Sequence, residues 1–107
     1  MIVRTLQPAK DDLDGAVAHL EHERVGAGAR LLEAFFAVGE NLELFPQMYS
    51  LVDDEVPGFE VRNAIIERFH YRVVYLVQPH ELVILAVAHT SRRPGHWHDR
   101  LHDETLP

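Results

Sequence analysis

Four side chains in the second half of the chain have the types and spacing for chemistry at phosphorus. Arg72 lies in a run rich in Val and Tyr, His89 ends the next apolar run, and Arg92 and Arg93 follow at once. Guanidinium forks match phosphate oxygens and keep their charge. An imidazole with an ordinary pKa of about 6.5 moves protons near neutral pH. Plainer roles fit the same positions: Arg72 pairing with a loop carboxylate such as Asp53 or Asp54, and His89 closing a strand with a hydrogen bond. Arg62, Arg68 and Arg100 extend the basic set along the same segment.

His96, His98 and His102 raise the question of a metal, since His98 and His102 would share a face at i, i+4 in a helix. No cysteine or carboxylate completes a ligand set, so neither a metal nor a cofactor is expected. His19 and His22 fall on the outer face of the first helix and are expected to be solvated.

The elements that must position these groups follow from periodicity. Residues 59–100 contain three runs of Val, Ile, Tyr and Phe separated by short polar breaks, the pattern of an antiparallel three-stranded meander. Strand alternation puts Val61, Asn63 and Ile65 opposite Arg62, Ala64 and Ile66, and sets Tyr71, Val73 and Tyr75 against Arg72, Val74 and Leu76. The run from Leu82 to Ala88 is apolar throughout and is expected to be central and covered on both faces. Gln78-Pro79-His80 is a tight connection.

Upstream, Ile2–Leu6 is a short strand ended by Pro8. Pro8, Asp11 and Asp12 predict a helix start with carboxylates in its first turn. Leu13, Ala16, Val17 and Leu20 form one apolar stripe. Gly26 and Gly28 break the pattern, and Leu31, Phe35, Val38, Leu42 and Phe45 resume it up to Pro46, giving a helical hairpin. Phe35, Phe36 and Phe45 are expected in the core. Residues 46–58 read as a loop, and residues 94–107 as a polar tail anchored by Trp97. The expected fold is α+β: a strand, a helical hairpin and the meander, in one sheet with the helices on one face and one domain over residues 1–107.

The 107 residues suit one core. No apolar run reaches the roughly 20 residues of a membrane span, the start has no secretory-signal pattern, and cysteine is absent, so a reducing cytoplasm is expected. Net charge is −7, but it is uneven: residues 1–60 hold 12 acidic and 4 basic side chains, and residues 61–107 hold 5 and 6. An acidic whole disfavours indiscriminate nucleic-acid binding, while a cationic patch on the second half stays open.

Five clusters in order resemble the RelE/ParE superfamily of toxins from bacterial toxin–antitoxin modules. They are Pro8-Ala9 with Asp12-Leu13; Leu42 with Phe45-Pro46; Val61-Arg62; Phe69-His-Tyr-Arg-Val-Val-Tyr75; and Ile84–His89 with Arg92-Arg93-Pro94, Trp97 and Arg100. The resemblance implies a cytoplasmic toxin held by a cognate antitoxin. It implies one of two activities: inhibition of DNA gyrase by protein contact, without catalysis, in the ParE branch, or mRNA cleavage on the ribosome in the RelE branch. Lys10 is the single lysine and lies outside the meander, so the lysines of a RelE-type site are missing and the plasmid-stabilising ParE branch is favoured. Its antitoxin or target contacts would be Arg62, Arg72, Val74, Leu76, Arg92, Arg93, Trp97 and Arg100, with Val74 and Leu76 exposed beside Arg72 as a groove. The RelE alternative would use Arg72, His89, Arg92 and Arg93 in catalysis. A third expectation is a toxin fold retained only for binding. A homodimer and a toxin–antitoxin hetero-oligomer are both open.

Overall fold

A computed structural model describes residues 1–106. Strand β1 (Ile2–Thr5) leads into helices α1 (Gln7–Glu23) and α2 (Ala27–Leu44), followed by strands β2 (Ser50–Leu51), β3 (Glu60–Ile66), β4 (Tyr71–Val77) and β5 (Glu81–His89). The sheet order is β1-β5-β4-β3-β2, with β1 parallel to β5 and the other pairs antiparallel. The expected α+β fold and meander are therefore present, enlarged to a five-stranded mixed sheet. The addition is β2, inside residues 46–58, where the chain pairs Ser50 with Asn63 and Leu51 with Arg62. A two-residue strand leaves no periodic signal to read.

The helical hairpin packs on one sheet face. Ala9, Leu13, Ala16, Leu31, Phe35, Val38 and Leu42 close over Ala64, Ile66, Val73, Tyr75, Leu82 and Ile84. Helix α1 starts at Gln7, one residue before Pro8, so Asp11 and Asp12 fall in the second turn instead of the first. Glu21 takes over N-terminal capping for the other helix: its carboxylate accepts from the Gly26 amide at 2.9 and 3.0 Å and from the Gly28 amide at 3.2 Å. Of the two glycines in the break, only Gly26 has positive φ. Gly28 is helical and lets α2 approach α1, since a Cβ there would stand 2.6 Å from the Val17 carbonyl oxygen. Phe36 and Phe45 depart from expectation at 58% and 61% exposed: Phe36 is one residue off the Leu31–Phe35–Val38 stripe, and Phe45 lies beyond the last helical residue.

The other sheet face is covered too, by residues that carried no strong pattern. Trp97 and Leu101 from the tail, Val52 from the loop and Leu6 bury Val61, Val74, Leu76, Val83 and Leu85. A bulge in β5 assists: Val74 pairs with Ala86 but Tyr75 pairs with Ile84, so Leu85 and Ala86 both face this second core.

The bulge coincides with the end of β1, whose last ladder contact is the Leu6 amide donating to the Ile84 carbonyl at 3.0 Å. Beyond it, two side chains replace the missing strand. Asp12 accepts from the Val87 amide at 3.1 Å, and Arg100 donates to the Leu85 carbonyl at 2.9 Å. The two side chains also pair with each other at 2.6 Å, each about one-fifth exposed. Sheet, first helix and tail meet at this one contact.

Two predictions follow from these pairs. Asp12→Ala orphans a strand amide and leaves the Arg100 charge unpartnered, so urea unfolding should show a loss of about 2–3 kcal/mol, and Asp12→Ala with Arg100→Ala should lose less than the sum of the single changes. The second concerns acid. Arg62 holds Glu60, and Arg4 holds Glu81, below the usual carboxylate range. A depressed folded-state pKa contributes stability above the unfolded value and loses it as pH falls through the folded one. The unfolding midpoint should therefore decline below about pH 4, and a Glu60→Gln, Glu81→Gln variant should decline less.

Candidate functional site

On the second sheet face, near the turn between β3 and β4, lies a cleft of about 130 Å³ lined by Arg72, His89, Arg92, Arg93, His96 and Trp97 together with Asp53 and Asp54. Arg72 comes from β4, His89 from the end of β5, and the rest from the segments that cross this face. Three of the four side chains singled out as catalytic candidates are thus guanidinium groups around one opening, and the fourth borders it.

Arg72 is half-buried and donates to the Asn63 side-chain oxygen at 3.0 Å. Asn63 is itself buried and donates to the Ser50 carbonyl at 3.3 Å, so the short strand β2 fixes the orientation of Arg72 through one intermediate. The expected pairing of Arg72 with Asp53 or Asp54 does not form among the described residues. Asp54 instead meets His98 at 3.1 Å, which ties the acidic loop to the tail. Arg92 and Arg93 are exposed, and their guanidinium groups have no hydrogen-bond partner among the described residues. The cleft combines one oriented arginine with two adaptable ones.

His89 is exposed, and its Nδ1 accepts from the Ser91 amide at 3.1 Å and meets the Ser91 hydroxyl at 2.8 Å. With Nδ1 accepting from the backbone, the neutral ring carries its proton on Nε2, so its basic nitrogen is already engaged. His89 behaves as a capped strand end. His96 turns its Nδ1 to the Arg93 carbonyl at 3.1 Å, leaving Nε2 buried and unpaired among the described residues. Burial pushes the His96 imidazole below its ordinary pKa, with Arg92 and Arg100 adding to the effect. Neither histidine is joined to a carboxylate that would orient it as a general base, and no group of three metal-binding side chains forms among the described residues.

Several expected contact residues have structural positions instead. Val74 and Leu76 are 0% and 2% exposed: the apolar groove expected beside Arg72 is filled by the chain's own Trp97 and Leu101. Trp97 is 3% exposed and anchors the tail, which removes it as a surface aromatic. Arg100 is held by Asp12 and the Leu85 carbonyl. Arg62 is held by Glu60 at 2.8 Å and by the Tyr49 carbonyl at 2.7 Å. Of the expected contact set, Arg72, Arg92 and Arg93 keep accessible charge. Asn63 joins this set through register, opposite Val74 and beside Arg72; its one mark in the sequence is that of a polar residue on an otherwise apolar strand face.

Comparison with known proteins agrees with this architecture. Residues 3–94 match the family model described as ParE toxin of the type II toxin-antitoxin system, parDE. No curated protein matches. Among solved structures, a chain of the chromosomal ParDE toxin–antitoxin system from P. aeruginosa is similar in fold, with a TM-score of 0.58 and 24% identity over 83% of this chain and 95% of that one. No helix among the described residues is long and apolar enough to cross a membrane. With the family pattern running from β1 through the meander to the rim of the arginine cleft, the chain belongs to the ParE toxin family of type II toxin–antitoxin systems.

Proposed function

We propose that this chain is the toxin of a type II toxin–antitoxin pair, that a cognate antitoxin neutralises it, and that the free form inhibits DNA gyrase through protein contact centred on Arg72, Arg92 and Arg93. The observation that carries the choice is the character of the cleft: three accessible guanidinium groups without a carboxylate partner, beside a histidine whose Nδ1 is engaged by Ser91. Such a site supplies charge and hydrogen-bond donors for a partner's acidic or carbonyl groups. It lacks the positioned acid and base that strand cleavage needs to activate a hydroxyl and protonate a leaving oxygen. The ParE resemblance supports gyrase as the target.

An acidic partner surface would meet these unpaired guanidinium groups, so a cleft of this kind selects its partner more by charge than by area. The cytoplasm, where gyrase works, is the compartment this activity requires.

Controlled expression in a bacterium tests the proposal. The wild-type chain should arrest growth, induce a DNA-damage response and stall supercoiling by purified gyrase. An Arg72→Ala, Arg92→Ala, Arg93→Ala variant with an unchanged circular-dichroism spectrum should need at least about tenfold more protein for the same inhibition. Cleaved mRNA ends with supercoiling intact would instead establish the ribonuclease activity.

A further inference from the structure

A second cationic cluster lies at the same end of the sheet, on the helix side. The end is defined by the 3₁₀ turn Glu67–Phe69 between β3 and β4, and by the Thr90 amide donating to the His70 carbonyl at 2.7 Å. Arg68 on this turn faces Arg24, which caps α1, and Arg30, in the first turn of α2; the three border a depression of about 380 Å³ floored by Leu20, Ala27 and Phe69. The depression continues past Arg30 and Arg68 toward Ala34 and Ile66.

None of these arginines is paired with a carboxylate among the described residues. The carboxylates nearby have other places: Glu21 caps the Gly26 and Gly28 amides, and Glu23 meets His19 at 3.1 Å. Glu23 and Glu33 edge the depression without closing an ion pair to it, and Glu67 begins the turn. Arg30 also stands at the positive end of the α2 dipole, where a cation is disfavoured. Arg68 lies over the Phe69 ring at 5.3 Å, which holds its fork at the rim of an apolar floor. In a chain of net charge −7, three unpaired arginines around partly apolar ground mark a surface complementary to an anion that also carries apolar side chains.

We propose that this depression, bounded by Arg24, Arg30, Arg68 and Phe69, docks an acidic, apolar-containing segment of the antitoxin, an inference that rests on the toxin–antitoxin assignment above. Carboxylates of the segment engage the guanidinium forks, and its aliphatic or aromatic side chains cover Leu20, Ala27 and Phe69. A peptide fits better than a nucleic acid, because the surrounding acidic surface repels a long polyanion while a short segment meets only the local charge. The arginine cleft on the opposite sheet face stays separate, so antitoxin can hold the toxin without first displacing the tail.

The test is calorimetric titration of the full-length chain with its cognate antitoxin, produced as a separate full-length protein. Arg30→Glu with Arg68→Glu is the informative variant, since a carboxylate in the first turn of α2 favours the helix and the fold should keep its thermal midpoint. The antitoxin dissociation constant should rise by at least about tenfold, whereas Lys10→Glu, an exposed reversal elsewhere, should change it by less than about threefold. Wild-type affinity should also fall more steeply with added salt than the variant's. Unchanged antitoxin affinity in the folded variant overturns the proposal. It is equally overturned if the variant loses gyrase inhibition or duplex-DNA binding while antitoxin affinity holds. A wild-type chain that binds no antitoxin removes the toxin–antitoxin assignment itself, and this proposal with it.

Discussion

The contact between Asp12 and Arg100 is the constraint on which the sheet depends. Strand β5 outlasts β1, so its Val87 amide and Leu85 carbonyl would face outward without partners, and each unpaired buried backbone group costs about as much as a lost hydrogen bond. Asp12 and Arg100 each take one of these groups and neutralise each other in the process. A side-chain pair thereby stands in for a strand. It also joins residues 88 positions apart, so the tail cannot leave the sheet without exposing backbone and charge together.

That joint determines where the accessible charge lies. Because Arg100 returns the tail to β5, Trp97 and Leu101 fall onto the second sheet face and bury Val74 and Leu76. The arginine cleft is what the tail and the acidic loop leave open around Arg72. The nine arginines divide accordingly. Arg4, Arg62 and Arg100 are engaged by carboxylates, while Arg72, Arg92 and Arg93 gather on one side of the turn between β3 and β4, and Arg24, Arg30 and Arg68 on the other. An acidic molecule thus carries most of its unpaired positive charge at one end, where partners of opposite sign would be drawn.

Catalysis requires more than the residue types that attract attention in the sequence. His89 and three arginines satisfy a composition test for phosphoryl chemistry, yet the ring is fixed through Ser91 by backbone geometry, and the arginines converge without a base. What survives the folded geometry is a cluster of accessible guanidinium groups around one cleft. The P. aeruginosa structure, at 24% identity, supports the fold alone, so the character of the site comes from these contacts.

The sequence by itself determined the elements with strong periodicity: both helices, the three long strands, the burial of the run from Leu82 to Ala88, and the gathering of basic residues near the sheet exit. Those features depend on local propensity and on side-chain direction, which repeat along the chain. It also carried enough ordered motifs to place the family. Tertiary structure alone decided which surfaces remain. The bulge at Leu85 and the two-residue strand β2 are one- and two-residue events with no period, and Phe36 and Phe45 needed the helix rotation and its end to be known before their exposure followed. The fates of Val74, Leu76, Trp97 and Arg100 turned on a pairing between Asp12 and Arg100, and the second cationic cluster on the meeting of two separate turns. Contacts between distant segments are chosen by the packing of the whole chain, and no local pattern encodes them.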